Sequence, residues 1–298
     1  MEVLSACILW GNFLTVPLFF SFGKDRFADI FPREWYVTTP TEYWMTGIYP
    51  SPVGLTLGLL AVVVGQVGVL AYFYCRRNGM LGPLVPIQKE GPRNYDFMEG
   101  MINHLSQPEG FVILGSYLIG TWMSGLMPST YYSFAGGINP LHVLLQLLSV
   151  DFFQTAMHYA EHKTTPYLYQ ISHKPHHRFT NPRLFDAFDG SLADTICMIL
   201  IPLYITAHLI PANVWSYMAF GSIYANWLVL IHSEYHHIWD EALFQRIGFG
   251  TAGDHHVHHK LFIFNYAHLF SYWDRLFGTY KAPSDVGVFT HYSGVKKA

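Results

Sequence analysis

The chain contains a series of long apolar runs separated by short polar segments. Residues 51–74 carry no charge, and Arg76 and Arg77 follow after Cys75. A run of about 20 apolar residues is long enough to cross the hydrocarbon core of a bilayer as a helix. Shorter or interrupted runs of the same kind predict further membrane helices at residues 111–127, 140–157, 195–210 and 213–231.

The two ends of the chain differ in pattern. Residues 3–22 are apolar and uncharged but lack a basic start and a small-residue cleavage site, so we expect a retained anchor or interfacial helix. Pro211 lies between the last two apolar runs and predicts a tight helical hairpin. No later run is long enough to span a bilayer, so residues 233–298 are expected to form a water-exposed tail folded back under the membrane.

These patterns predict an all-α integral membrane protein with four to six transmembrane helices and a cytosolic, histidine-rich helical cap. No linker or repeat divides the chain, so we expect a single folded unit. Within it, residues 1–110 would form N-terminal anchor helices and a polar loop over 76–110. Residues 111–298 would form the remaining membrane spans and the cap.

Composition narrows the function. Of the 298 residues, 51% are hydrophobic and 12% are charged, about half the share usual in soluble proteins. Seventeen Lys and Arg against 20 Asp and Glu give a net charge of -3, which excludes a basic nucleic-acid-binding protein. The three cysteines are far apart and form no metal or disulfide pattern.

Histidine is the unusual residue, with 17 copies, and most of them fall in four short motifs. The motifs read HYAEH from His158, HKPHH from His173, HSEYHH from His232 and HHVHH from His255. Residues at positions i, i+3 and i+4 share one face of a helix, so each motif can direct two or three imidazoles towards one point. This clustering predicts a metal site, although imidazole binds iron, zinc and copper alike.

The remaining histidines fit this hypothesis less well. His104, His142, His208 and His291 stand alone and are expected to have no ligand role, whereas His268 is left open. Solvated histidine tracts and a structural zinc site are the simpler alternatives. The first does not explain the interleaved aromatic residues, and the second requires only four ligands.

The order of membrane crossings predicts where the motifs lie. Two apolar runs separate HKPHH from HSEYHH, so both motifs would be on the same side of the membrane. Counting backwards places the loop at 76–110 on that side as well. Short loops rich in Lys and Arg are normally cytoplasmic, so we expect the histidines to face the cytosol.

The four motifs, over residues 151–280, resemble those of the fatty acid hydroxylase superfamily, which includes sterol desaturases, 4-methylsterol oxidases and fatty acid 2-hydroxylases. The resemblance implies two iron ions, dioxygen as co-substrate, and electrons from cytochrome b5 or a similar donor with an NAD(P)H-linked reductase. It also implies the endoplasmic reticulum membrane. The chain departs from the sterol members at Lys163, where a further histidine is common, and at residues 187–194, where a His-Pro pair is common.

On this resemblance we expect ten metal ligands, which are His158, His162, His173, His176, His177, His232, His236, His255, His258 and His259. His237 and His256 are extra ligand or supporting candidates. The polar residues that could orient the imidazoles are Asp151, Glu161, Asp186, Asp189, Asn265 and Asp274. Each of them could equally be a helix cap or ion-pair partner.

The predicted function is oxygen-dependent oxidation of a membrane lipid, most simply a sterol desaturation or hydroxylation. Hydroxylation of fatty acids or sphingolipids is the alternative within the same chemistry. A histidine-rich metal transporter and an inactive membrane scaffold are the alternatives from other classes. Phe262, Phe264 and Tyr266 follow the last motif and are candidates for the wall of the substrate pocket.

Overall fold

The computed structural model describes residues 2–30, with side chains to residue 23, and residues 53–290. This part of the chain is helical and contains three isolated β-bridges but no β-strand. The predicted all-α membrane fold is confirmed. The helices are α1 Glu2–Ile30, α2 Val53–Arg77, α3 Phe97–Leu105, α4 Ile113–Met123, α5 Pro140–Lys163, α6 Pro166–Ile171, α7 Leu192–Leu209, α8 Val214–Leu230, α9 Ala252–Leu261 and α10 Ser271–Phe277.

Three of the described helices are long and apolar enough to cross a membrane. They are α1 over Glu2–Gly23, α2, and α7, which contains a π-helical turn at Ile196–Leu200. The other predicted spans differ in two ways. Helices α4 and α8 have 11 and 17 residues, whereas α5 has 24 residues but buries several polar side chains. A span that carries polar groups towards an interior site is typical of a functional membrane helix.

Helix α8 lies at the centre of the bundle and packs against α1, α2 and α5. Asn213 caps its start by accepting a hydrogen bond from the backbone N–H of Ser216 at 3.0 Å. Helix α2 approaches α8 closely at Gly65, where a Cβ atom would lie only 2.0 Å from Nδ2 of Asn226. Glycine at this position therefore allows the side chain of Asn226 on α8 to pack directly against the backbone of α2.

Two sequence-based expectations need correction. The segment at 76–110 is not entirely a loop, since it contains α3, whose start is capped by Asp96 accepting from the backbone N–H of Glu99 at 3.0 Å. The segment after residue 233 is only partly a water-exposed tail, because residues 252–259 of α9 are all buried. The histidines of α9 pack inward against the other motifs. Hydropathy alone could not predict this, because the segment contains no long apolar run.

The connection between α7 and α8 is short, as Pro211 predicts. Residues 210–213 join the two helices, and the hydroxyl of Tyr217 donates to the carbonyl of Ala207 at 2.6 Å. Helix α5 packs against both partners. The end of α5 that carries His158 and His162 is therefore held beside the end of α8.

Candidate metal centre

Nine buried or half-buried histidines from four separate segments meet at one end of the bundle. Helix α5 supplies two, the turn after α6 three, the end of α8 one, and α9 three. They form two groups, and in each group one ring nitrogen per residue lies within 4.8 Å of the others. The five-histidine group is His158, His162, His173, His177 and His258, and the four-histidine group is His176, His232, His255 and His259.

Helix α9 contributes to both groups. A capping box fixes its start, with Thr251 Oγ1 accepting from the N–H of Asp254 at 3.1 Å and Asp254 accepting from the N–H of Thr251 at 3.0 Å. His255 and His259, four residues apart, face the four-histidine group, whereas His258 faces the other. The HHVHH motif therefore serves two points rather than the single point expected from its spacing.

The HKPHH motif divides in the same way. His173 and His177 belong to the five-histidine group and His176 to the four-histidine group. His176 and His177 lie in a single 3-10 turn, which turns consecutive side chains in different directions. One turn of chain thus joins the two groups.

Backbone carbonyls fix the orientation of most of these rings. The Nδ1 atoms of His158 and His258 lie 2.7 Å from the carbonyl oxygens of Tyr266 and Phe264. His232 and His259 bond in the same way to Leu228 at 2.7 Å and Phe179 at 2.8 Å. A carbonyl accepts only from an N–H, so these contacts assign the ring proton to Nδ1 and leave the Nε2 lone pair free.

The free Nε2 atoms face one another at short range. His158 Nε2 lies 2.8 Å from His173 Nε2, and His173 Nδ1 lies 2.8 Å from a carboxylate oxygen of Asp194. Both facing nitrogens therefore carry lone pairs, which repel unless a cation lies between them. Two nitrogens held about 2.1 Å from one metal ion at a right angle are about 3 Å apart, so the donor set fits a metal ion.

The pKa values agree with neutral, metal-binding imidazoles. Burial lowers the pKa of His173 to about 3, and burial lowers the pKa of His255 and His258 well below the ordinary value. Neighbouring histidines add to this effect at His255 and His258. Metal binding requires the unprotonated ring, so the site is already in the correct state at neutral pH.

Three of the sequence candidates lie outside both groups. His236 directs Nε2 to the carbonyl of Thr290 at 3.1 Å. His237 stacks on Trp239, with ring centroids 4.5 Å apart, and His256 donates from Nε2 to the carbonyl of Ser233 at 3.0 Å. These rings support the surrounding chain rather than the shared centre.

The acidic candidates also have defined places. Asp151 is fully buried and accepts three backbone N–H groups, those of His268, Leu269 and Phe270, at 2.8–3.0 Å. Glu161 lies 3.9 Å from Nδ1 of His173. The Asp151 contacts attach the segment after α9 to α5 without touching an imidazole.

The other polar candidates mostly hold loops in place. The backbone carbonyl of Asp189 accepts a hydrogen bond from Nδ1 of His176 at 3.2 Å. The carboxylate of Asp189 forms an ion pair with Arg178. Asp186 pairs with Arg183 at 2.8 Å, and Asp274 accepts from the backbone N–H of Tyr266 at 2.8 Å. Asn265 bridges the carbonyls of Asp254 and Lys281 at 3.0 and 2.8 Å.

Sequence reasoning missed Asp194, the carboxylate that orients His173. Its only sequence signal is the spacing Ser191-x-x-Asp194, in which the serine hydroxyl accepts from the N–H of Asp194 at 3.1 Å. His268, left open above, has its ring about 5 Å from His158 and His255. His104, His142 and His208 belong to neither group, and His291 lies outside the described residues.

An apolar cavity of about 340 Å³ runs through the bundle below the histidines. Its wall is formed mainly by α2, α4, α7 and α8, and it includes Phe188 and Leu228. Phe188 precedes the residue whose carbonyl orients His176, and Leu228 supplies the carbonyl that orients His232. The cavity therefore approaches the four-histidine group through Phe188 and Leu228, although none of the described histidines is part of its lining.

The proposed wall residues after α9 lie elsewhere. Phe262, Phe264 and Tyr266 are not part of the lining of this cavity. The ring of Phe262 packs 4.8 Å from that of His177, and that of Tyr266 lies 5.4 Å from that of His158. Phe262 and Tyr266 therefore pack against the five-histidine group, whereas the side chain of Phe264 packs against the apolar cluster of Ile87, Ala252, Val257 and Phe289.

The comparison with protein families agrees with this arrangement. Residues 143–279, which include both histidine groups, match the model described as Fatty acid hydroxylase. The chain is also 52% identical over 284 residues to the "Alternative squalene epoxidase" of Phaeodactylum tricornutum, which covers 94% of this chain and 80% of the relative. The chain belongs to the fatty acid hydroxylase family.

Two further relatives are less similar to this chain. The Delta(7)-sterol 5(6)-desaturase of Saccharomyces cerevisiae is 29% identical over 91% of this chain and 68% of its own length. Lathosterol oxidase of Rattus norvegicus is 29% identical over 48% of each chain. No solved structure matches the chain. Family membership identifies the protein as an oxygen-using oxidoreductase whose histidine cluster could bind metal.

Proposed function

We propose that this protein is a membrane epoxidase that adds one oxygen atom to a terminal double bond of squalene, a linear polyunsaturated hydrocarbon. The observation that carries the proposal is that Leu228 links the cavity to the four-histidine group. Leu228 lines the cavity, and its carbonyl accepts from Nδ1 of His232 at 2.7 Å. A hydrocarbon lying in the cavity would end at the metal centre. The 52% identity to a relative named as a squalene epoxidase supports this substrate.

The proposed metal sites are the two histidine groups, each holding one iron ion. The nine Nε2 or Nδ1 donors of these groups would be the ligands, and His236 would not be one. Iron held by imidazoles, when bound, supplies the activation of dioxygen that oxidation of an unactivated lipid requires. The backbone carbonyls at Tyr266, Phe264 and Leu228 hold the rings in place throughout the reaction.

The proposed reaction has a defined balance. One atom of dioxygen bonds to both carbons of the double bond, and the other leaves as water. This consumes two electrons and two protons per turnover. We propose cytochrome b5 with an NAD(P)H-linked reductase as the electron source.

The proposed orientation places the histidines on the cytosolic side of the endoplasmic reticulum membrane, where this donor is available. Arg76 and Arg77 end α2, and Arg76 donates to the carbonyl of His236 at 2.9 Å. A positively charged helix end therefore lies beside the segment that follows α8 and carries His232 and His236. Positive charge at a membrane boundary favours the cytosolic side.

The cavity determines what the chain itself contributes to the reaction. Its lining is almost entirely apolar, which suits a hydrocarbon and excludes water from the reacting double bond. Phe188 and Leu228 lie at the end next to the histidines and would position the terminal double bond. The rest of the cavity would hold the chain extended away from the metal centre.

The test is turnover by purified protein in lipid nanodiscs with iron, cytochrome b5, its reductase and NADPH. Squalene and a Δ7-sterol are supplied in separate reactions, and products are identified by mass spectrometry. We expect squalene to gain one oxygen atom and the sterol to be unchanged. Loss of two hydrogens from the sterol without squalene oxidation would overturn the proposal and support sterol desaturation. Protein that binds no metal would instead support a scaffold.

A further inference from the structure

Gln66 is a polar residue in the middle of the apolar helix α2. It is 5% exposed and lines the cavity below the four-histidine group. Neither its amide nitrogen nor its amide oxygen has a hydrogen-bond partner among the described residues. Buried amides are nearly always paired, because leaving one unpaired costs free energy. An unpaired amide in a largely apolar cavity indicates a binding partner that the described residues do not supply.

Most other polar groups of the cavity are already paired. The hydroxyl of Tyr217 donates to the carbonyl of Ala207 at 2.6 Å, and that of Tyr224 donates to Oε1 of Gln154 at 3.1 Å. The hydroxyl of Tyr117 is also without a partner among the described residues. Gln66 and Tyr117 are therefore the lining residues whose buried polar atoms have no partner among the described residues.

The helix contacts separate these two groups along the cavity. Gly65, the neighbour of Gln66 on α2, touches Asn226 on α8. Asn226 precedes His232 by six residues, which corresponds to a rise of about 9 Å along the helix axis. Gln66 therefore lies about 9 Å from the level of His232. Trp122 on α4 contacts Gly54 at the opposite end of α2. Tyr117 precedes Trp122 by five residues, so it lies about 7.5 Å along α4 from that contact. Gln66 is thus the unpaired group nearer to the metal centre.

The chemistry of an amide defines the ligand. Its NH2 group donates to an ether, epoxide or hydroxyl oxygen, and its carbonyl accepts from a hydroxyl. A hydrocarbon offers neither partner, so squalene in the cavity would leave the amide unpaired. The epoxide formed from squalene has one oxygen that can accept from Nε2 of Gln66.

We propose that Gln66 forms a binding subsite for the single oxygen atom of an oxygenated isoprenoid lipid, the product of the reaction proposed above. The subsite rests on that proposed function for the identity of its ligand. It gives the oxygen atom its first hydrogen-bond donor as the product moves along the cavity away from the histidines. The protein then binds its epoxide product more tightly than its hydrocarbon substrate.

The experiment compares the affinity of the iron-loaded protein for squalene and for 2,3-epoxysqualene. The protein is held in phosphatidylcholine nanodiscs without reductant, so no turnover occurs, and binding is followed by quenching of tryptophan fluorescence. One neutral hydrogen bond contributes about 1 kcal/mol, which corresponds to about fivefold in affinity. We expect the epoxide to bind about fivefold more tightly than squalene.

Gln66→Leu removes the amide and should abolish this preference, mainly by weakening epoxide binding. Gln66→Met provides a second apolar variant of similar length if the first does not fold. Val62→Ala is the matched control, since Val62 lines the same cavity one turn away on α2. It should weaken both ligands alike and preserve the ratio.

A fivefold preference that persists in Gln66→Leu or Gln66→Met would overturn the subsite, as would equal affinity of the unmodified protein for both ligands. Turnover separates this failure from failure of the proposed function. Protein that epoxidises squalene but shows no preference lacks the subsite. Protein that shows a Gln66-dependent preference but does not oxidise squalene has the subsite and a different reaction.

Discussion

The Nε2 atoms of His158 and His173 lie 2.8 Å apart although the other nitrogen of each ring already has an acceptor. His176 and His232 repeat the arrangement in the other group, at 3.3 Å. In both pairs two lone pairs face each other in a buried site. A metal ion converts this repulsion into coordination, so we expect metal to stabilise the fold as well as to support turnover.

Metal content should distinguish the residues in the two groups from the neighbouring histidine. His255→Ala removes a member of the four-histidine group and should lower the iron content from about two ions per chain to about one or less. His236→Ala is the control, because Nε2 of His236 faces the carbonyl of Thr290. It should retain both ions. Elemental analysis of the purified proteins measures this, and equal loss in both variants would contradict the assignment.

The carboxylate of Asp194 should affect metal binding through His173. Asp194→Asn removes the negative charge that holds the Nδ1 proton of His173, 2.8 Å away. Loss of such a partner weakens metal affinity by about 10–100-fold. Asp189→Asn is the matched control, because His176 bonds to the backbone carbonyl of that residue. Competition with a chelator gives both affinities, and an unchanged Asp194→Asn would show that the carboxylate does not act on the metal.

Filling the cavity should impair lipid binding without affecting the metal. Gly221 lines the cavity, and a Cβ atom at this position would have no neighbour within 4 Å. Gly221→Leu would place a side chain in that space and should raise the KM for the lipid about tenfold, in line with typical overpacking costs. Gly120→Leu, on an exposed face of α4 with the same open space, should leave the KM unchanged. Equal kinetics in both variants would exclude this cavity as the lipid site.

His104 should make the protein sensitive to acid independently of the metal centre. It is fully buried on α3 among aromatic rings, and burial lowers its pKa to about 4 from 6.5. The unfolded chain then binds a proton that the folded chain does not, so stability falls as the pH decreases from about 6.5 towards 4. His104→Phe should lower the number of protons that the chain takes up on unfolding in this pH range by about one, so its stability should fall less steeply. Thermal unfolding between pH 7.5 and 4.5 measures it, and identical slopes would show that His104 is not protonated on unfolding.

The histidine spacing predicted which residues gather but not how they divide. Nine of the ten expected ligands meet, because i, i+3 and i+4 positions share a broad face. His236 does not join them, since α8 ends at Leu230 and helical spacing no longer applies beyond it. The α9 histidines divide between the two groups because α9 lies between the end of α5 and the end of α8. This tertiary arrangement cannot be derived from the spacing of residues along the chain.

Other parts of the site leave no trace in residue type. The carbonyls of Tyr266, Phe264, Leu228 and Phe179 orient four imidazoles, and any amino acid supplies a carbonyl. The burial of residues 252–259 could not be predicted either, because histidine and aspartate count as polar residues in a hydropathy pattern. Apolar runs predicted the three described helices that are long and apolar enough to span a membrane, since for them burial in lipid and hydropathy are the same property.

The shared role of α9 has a consequence for biosynthesis. Each group includes at least one histidine between positions 255 and 259, about a hundred residues after His158. Neither group can be completed until that segment has left the ribosome and docked against the membrane helices. A nascent or truncated chain therefore has no complete set of donors for redox-active iron. Because unfinished copies of the protein cannot form the complete site, they would not oxidise the membrane around them.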